Sequence, residues 1–225
     1  MILQIETATT VCSVALANQG RVIAIKEANQ RNIHAEAITV FIDEILNKAG
    51  IKYSELDAVA VSSGPGSYTG LRIGVSTAKG LCYALDKPLI AVETLEAMAG
   101  GLIVSGVDSD VLLCPMIDAR RMEVYTALFD AAGNRLQPTT AEIIDANSFA
   151  AQLEQSKILF FGDGAPKCRE TLSGNPNALF IDDFANSAAH LTSATYQKFK
   201  AAQFEDVAYF EPYYLKDFLV TAKKA

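Results

Sequence analysis

The chain has 225 residues, half of them apolar, and its 26 acidic against 19 basic side chains leave a formal charge of −7. That length and apolar share can bury one large domain or two small lobes and exclude a disordered tail. The acidic balance is the wrong sign for a protein whose main surface grips a phosphate backbone, and two histidines are too few for a metal centre built on histidine clusters.

The opening MILQIE carries charge at once and reads as a first strand, so no secretory leader is expected. An alternating second strand leads to Gly20. Residues 33–49 place Ile38, Phe41, Ile42, Ile45, Leu46 and Ala49 on one helical face, with Gly50 as the stop. Ile33, Ala37 and Val40 widen that face beyond what its own sheet needs, which suits a partner. A helix sandwiched between its sheet and a neighbouring helix would carry the same pattern. His34, near the helix start, is expected to be a partly exposed polar residue.

Residues 57–62 (DAVAVS) read as a buried strand entering the turn Gly64-Pro65-Gly66. Ser67 or Thr69 then caps a helix to about residue 84. Gly70, Gly74 and Ala78 recur every four residues, so one stripe is nearly bare and a backbone can approach it closely, either that of its own sheet or that of another helix. No lysine lies between Tyr53 and Lys79, which excludes a Walker-type phosphate loop; a backbone-only cradle at the helix start stays open. The apolar run 89–107 is interrupted by Glu93 and Glu96 and fails as a membrane span, so a soluble, cytoplasmic protein is expected. Gly106, Asp108, Ser109 and Asp110 break the periodicity and divide the chain into lobes 1–105 and 106–225.

An internal repeat sets the architecture. Residues 5–16 lie on 117–128 without a gap, pairing Ile5 with Ile117, Glu6 with Asp118, Ala15 with Ala127 and Leu16 with Leu128. Each half opens with a strand that ends in a carboxylate, a polar turn and a second strand. Strand 157–161 entering Gly162-Asp163-Gly164-Ala165 and a helix over 166–172 echoes the strand, turn and helix of the first half. The helix around 149–155 is short, so the C-terminal lobe is reduced. Two similar α/β lobes, each a mixed sheet flanked by helices, enclose a cleft. Arg120 and Arg121 leave the second hairpin turn as a basic spot, either solvated or contacting a partner or a phosphate. A last helix over 187–203 carries His190 without an acidic neighbour, and the aromatic, proline-broken stretch 209–216 is expected to pack back as an extended strap. Cys12, Cys82, Cys114 and Cys168 form no Cys-x-x-Cys pair and suit small buried side chains.

The segment Ser63-Gly-Pro-Gly-Ser-Tyr-Thr-Gly-Leu-Arg-Ile-Gly74 resembles the hallmark of the bacterial TsaB (YeaZ) family. Leu3-Gln-Ile-Glu-Thr-Ala-Thr9, Asn32-Ile-His-Ala-Glu36, Asp118-Ala-Arg-Arg-Met-Glu-Val-Tyr125 and Glu211-Pro-Tyr-Tyr-Leu-Lys216 agree in the same order, so the likeness covers nearly the whole chain. It implies the actin-like ATPase and sugar kinase superfold, whose lobes are ribonuclease H-like. It also implies a non-catalytic dimerisation or scaffold subunit of the complex that makes threonylcarbamoyladenosine beside the anticodon of tRNA. The implied partners are a TsaD-type transferase, a TsaE-type ATPase through the complex, and a second copy of the chain when alone, with tRNA held mainly by the partner.

The docking residues so implied are Ile38, Phe41, Ile42 and Ile45 on the first long helix and Gly70, Arg72, Gly74, Val75, Ala78 and Cys82 on the second. In the superfold Thr7, Thr9, Gly162 and Gly164 occupy the places where a nucleotide's phosphates would lie. No resident cofactor is expected, with ATP or ADP bound only weakly or at the shared interface. Two alternatives compete: an ATP-dependent phosphotransferase, against which Glu6 stands where catalytic relatives carry Asp, and a metallopeptidase. The corresponding helix of the catalytic relatives carries two histidines four residues apart, whereas the residue four beyond His34 is Ile38.

Overall fold

The computed structural model describes residues 1–216, so the last nine residues of the lobe expected over 106–225 lie outside the described residues. The first sheet is centred on β1 (Ile2–Glu6), buried at every position as a central strand requires. β1 pairs antiparallel with β2 (Val11–Asn18), with Glu6 opposite Ser13, and parallel with β4 (Ala58–Ser62). β3 (Arg21–Asn29) extends the sheet beyond β2 and β5 (Leu89–Val92) beyond β4, giving the order β3-β2-β1-β4-β5.

The second sheet repeats this plan. β6 (Val111–Asp118) pairs antiparallel with β7 (Glu123–Phe129), which carries β8 (Arg135–Ile143), and parallel with β9 (Lys157–Phe161), which carries β10 (Ala178–Phe180). The order β10-β9-β6-β7-β8 is that of the first sheet strand for strand, and Glu6 and Asp118 both end a central strand, as the repeat requires. Two such sheets in one chain, each mixed and flanked by helices, are the two-lobed α/β architecture that the internal repeat implies.

Helices α1 (His34–Ala49) and α2 (Tyr68–Leu85) cover one face of the first sheet. Gly50, at φ 68°, ends α1, and the Ser67 hydroxyl caps α2 by accepting from Gly70 N at 3.2 Å. α4 (Ala150–Leu153) and α5 (Ala165–Leu172) take the equivalent places on the second sheet. With 4 and 8 residues against 16 and 18, they give the C-terminal lobe its reduced form.

The central layer is shared. Helix α3 (Thr94–Ser105) packs Ala97 with Ile2 and Ile90 of the first sheet and with Leu191, and Leu95, Met98 and Ala99 with Leu113, Ile117 and Phe161 of the second sheet. Burial on both sides explains why its core-facing stretch has no polar face. The 3-10 turn Ala188–Leu191 and α6 (Thr192–Lys200) lie beside it, so the single helix expected over 187–203 is two shorter pieces. They fasten the second half to the first sheet: Ala188 N donates to Ser13 Oγ at 2.8 Å, Thr192 Oγ1 to Gln4 Oε1 at 2.9 Å and Lys198 Nζ to the Ala91 carbonyl at 2.7 Å.

Candidate docking face and interlobe cleft

The structure corrects the expected docking residues. On α1, Ile38, Phe41, Ile42 and Ile45 are at most 8% exposed and pack into the core with Leu3, Val14 and Val59. On α2, Gly70, Gly74, Val75, Ala78 and Cys82 are buried too. The bare stripe faces the chain's own first hairpin: a Cβ on Gly70 would stand 2.1 Å from the Thr7 carbonyl oxygen, and one on Gly74 2.2 Å from Thr7 Oγ1. Thr7 Oγ1 donates to the Gly70 carbonyl at 2.8 Å across that contact. Of the ten residues only Arg72 is exposed, and its guanidinium lies 4.2 Å over the Tyr68 ring.

The outward faces of the two helices are therefore rotated from the expected ones. On α1 they hold Ala35, Thr39 and half-exposed Val40; on α2 a second line of small residues, Ser76, Gly80 and Ala84, runs beside Ile73 and Thr77 and ends at Tyr83, 87% exposed. Nothing lies within 4 Å of a Cβ built on Gly80. This second stripe was readable at the same four-residue spacing as the first.

His34 is buried, not partly exposed: its Nε2 sits 3.2 Å from the Val11 carbonyl oxygen and ties the start of α1 to β2. Ile38, one turn on, faces the core. Among the described residues no group of three His, Cys, Asp or Glu side chains could hold a metal ion.

Between the lobes, Thr7, Thr9, Gly162 and Gly164, the residues expected at the phosphate positions, are each packed against neighbouring backbone or side chains of this chain. Thr7 is fully buried with its hydroxyl engaged, and Thr9 Oγ1 accepts from Val11 N at 3.4 Å. Gly162, at φ 102°, lets the chain pass where a Cβ would stand 2.3 Å from the Met116 carbonyl oxygen, and a Cβ on Gly164 would stand 2.9 Å from the Ile117 carbonyl carbon. Glu6 is buried, and burial pushes its carboxyl up to about 7 despite a 2.6 Å bond from Ala8 N. Ser62 and Asn186 lower it less, and neither Ser62 Oγ nor Asn186 Nδ2 completes a hydrogen bond.

The corresponding position in the second half is wetter. Asp118 pairs with Lys167, whose Nζ also donates to the Glu123 carbonyl at 2.6 Å, and Asp118 N donates to Asp163 Oδ1 at 3.0 Å. Burial, with Asp118 adding repulsion, raises the Asp163 carboxyl above its ordinary value. His190 does have an acidic neighbour, contrary to expectation: Glu27 raises its pKa, while burial lowers it by more. Its ring stacks on Phe184 at 5.2 Å and presses on Gly101.

The expected strap over 209–216 packs back on the body, and it begins earlier, near residue 203. Glu205 bridges Leu89, Lys79 Nζ donates to the Ala208 and Phe210 carbonyls, and Tyr213 N donates to the Ser63 carbonyl at 2.7 Å. Tyr214 then packs on Tyr68 with centroids 4.8 Å apart, and Lys216 pairs with Glu123 on the second hairpin. A hollow of about 370 Å³ opens beside the strap, lined by Glu93, Glu96, Glu205, Glu211 and Lys198, an acidic wall unsuited to phosphates. All four cysteines are buried thiols. No helix of the described residues is long and apolar enough to cross a membrane.

A family model described as TsaD, tRNA N6-adenosine threonylcarbamoyltransferase, matches residues 21–221. The tRNA threonylcarbamoyladenosine biosynthesis protein TsaB of Haemophilus influenzae is 40% identical over 55% of this chain and 51% of its own length, so the chain spans about half of that relative. The protein of the same name from Bacillus subtilis is 36% identical over 72% of this chain and 70% of its own length. A crystal structure from Pseudomonas aeruginosa, of an uncharacterized protein with similarity to peptidase YEAZ, superposes with a TM-score of 0.82 at 24% identity, covering 96% of this chain and 99% of that one. With the buried hairpin, the glycine-packed α2 and this breadth of likeness together, the chain belongs to the TsaB (YeaZ) family.

Proposed function

We propose that the chain is a non-catalytic subunit in the synthesis of threonylcarbamoyladenosine on tRNA, docking a TsaD-type transferase through the outer faces of α1 and α2. The observation that carries this is Gly80. A glycine in an exposed helix interior costs about 1 kcal/mol relative to alanine, and this one meets nothing within 4 Å in return. A line of Ser76, Gly80 and Ala84 beside Val40 and Tyr83 lets a helix of another chain approach closely, with apolar and aromatic flanks to bury. The names of the relatives and the family model support the pathway and the partner.

The same face serves a second copy of the chain when the transferase is absent, and a TsaE-type ATPase joins through the complex. The setting is the cytoplasm, where tRNA is modified. The non-catalytic assignment is supported by His34, whose Nε2 already meets a backbone carbonyl, and by Glu6, which lies buried where phosphotransferase chemistry would need a solvated, metal-binding carboxylate. The cleft is assigned no resident nucleotide, and ATP or ADP is left to weak binding or to the shared interface.

Light scattering behind a sizing column tests the assignment, using this chain mixed with the transferase of its own organism. The wild type is expected to give a mixed peak, and Gly80→Arg and Val40→Glu to elute apart from the transferase with unchanged circular dichroism. Co-elution of both variants would remove this face from consideration, and separate elution of the wild type would remove the partnership.

A further inference from the structure

The second hairpin turns through Arg120 and Arg121, both at positive φ, 72° and 49°. L side chains other than Asn and Asp rarely adopt that region, and two in succession mark a strained turn for which Asn or Gly is the usual solution. Main-chain bonds close the turn, Arg120 N donating to Asp118 Oδ1 at 2.8 Å and Glu123 N to the Arg120 carbonyl at 3.1 Å, but they leave the two side chains unused. Both side chains are exposed, and neither guanidinium has an acidic partner among the described residues. The nearby acids are engaged elsewhere: Asp118 with Lys167, and Glu123 with Lys216. Strain held at an exposed tip points to a use for the side chains themselves.

The tip continues into a ridge. Tyr125, on the β7 side of the hairpin, feels both Arg120 and Lys216. Lys216 leads along the strap to Tyr214, which receives a hydrogen bond from Arg72. Cations thus alternate with half-buried tyrosine rings across the second hairpin, the strap and the start of α2, on a chain whose overall charge is −7.

We propose that this ridge, centred on Arg120 and Arg121, contacts the sugar-phosphate backbone of RNA. It rests on the reading above for the RNA concerned, a tRNA. A hairpin tip is convex, so it suits an extended polyanion rather than a mononucleotide, which needs a concave cradle. Interleaved rings favour RNA over an acidic protein, because unstacked bases pack on tyrosine faces while arginines take phosphates. The acidic remainder repels the same polyanion and so orients it towards the ridge.

The test uses the reconstituted complex with the transferase and the double variant Arg120→Asn, Arg121→Gly, which suits the turn better than the native pair. The expected result is an unchanged or higher Tm, intact co-elution with the transferase, and a KM for tRNA raised about tenfold. The dependence of log KM on log salt concentration should flatten by about 1.5, at about 0.7 to 0.9 for each lost phosphate contact. An unchanged KM for tRNA overturns the proposal. So does loss of co-elution, which would give the ridge to a protein partner, or an effect on the KM for ATP alone, which would give it to a nucleotide. If the wild-type chain fails to stimulate modification at all, the functional reading falls by itself. Filter binding of tRNA to the isolated chain at low salt, wild type against double variant, then still decides the ridge, equal retention of the two overturning it.

Discussion

Replacing Glu6 with glutamine removes a carboxyl whose burial raises its pKa from 4.5 to about 7. Below pH 4.5 the group is protonated in both folded and unfolded chains and contributes no pH dependence. Between 4.5 and 7 the unfolded chain releases the proton while the fold retains it, so stability falls as pH rises through this window and levels off above 7. At about 1.4 kcal/mol per unit, that shift costs about 3 kcal/mol at pH 8. Glutamine keeps an oxygen to accept from Ala8 N, and its amide hydrogens can use the otherwise unpartnered Ser62 Oγ. An imperfect fit of that amide reduces the gain, so Glu6→Gln is expected to be about 1–3 kcal/mol more stable than wild type at pH 8 and close to equal to it at pH 4.5. Urea titrations of both proteins across that range measure the difference. The carboxyls of Asp163 and Glu142, also raised, and His190, lowered, are common to both proteins and cancel. A variant less stable than wild type at pH 8, or a difference that does not change with pH, would refute the burial argument.

Two glycines of α2 should respond oppositely to alanine: Gly70→Ala drives a Cβ into the Thr7 carbonyl and should lower stability by about 1–3 kcal/mol, whereas Gly80→Ala meets nothing and should raise it by about 0.5–1 kcal/mol, both read from thermal melts. His190 is held neutral by burial, so the unfolded chain protonates first as pH falls below about 6.5 and stability is lost on the acid side. His190→Leu should flatten the drop in Tm between pH 7 and 5, and an undiminished drop would exclude this residue as its source.

The sequence alone determined the doubled plan. Strand periodicity, carboxylates closing two central strands, and glycines after the strands at 62 and 161 are local signals, and local backbone preference expresses them without help from the rest of the chain. It also determined that α1 and α2 are long and that their counterparts are short, because caps and apolar spacing are read within a helix. Which side of each helix faces inward is a different kind of fact. α2 carries two parallel lines of small residues, Gly70-Gly74-Ala78 and Ser76-Gly80-Ala84, and spacing makes them equivalent. The first hairpin breaks the tie: the Thr7 carbonyl and hydroxyl occupy the space of two absent Cβ atoms, a contact across 63 residues of chain. The same holds for Ile42, whose apolar side chain suits a core or an interface equally until the sheet beneath it is placed, and which is then 1% exposed. His34 and Glu6 were visible as residues, but their burial comes only from the layers that close over them. Tertiary structure decided the site because burial depends on elements distant in sequence, while the elements themselves form from neighbours.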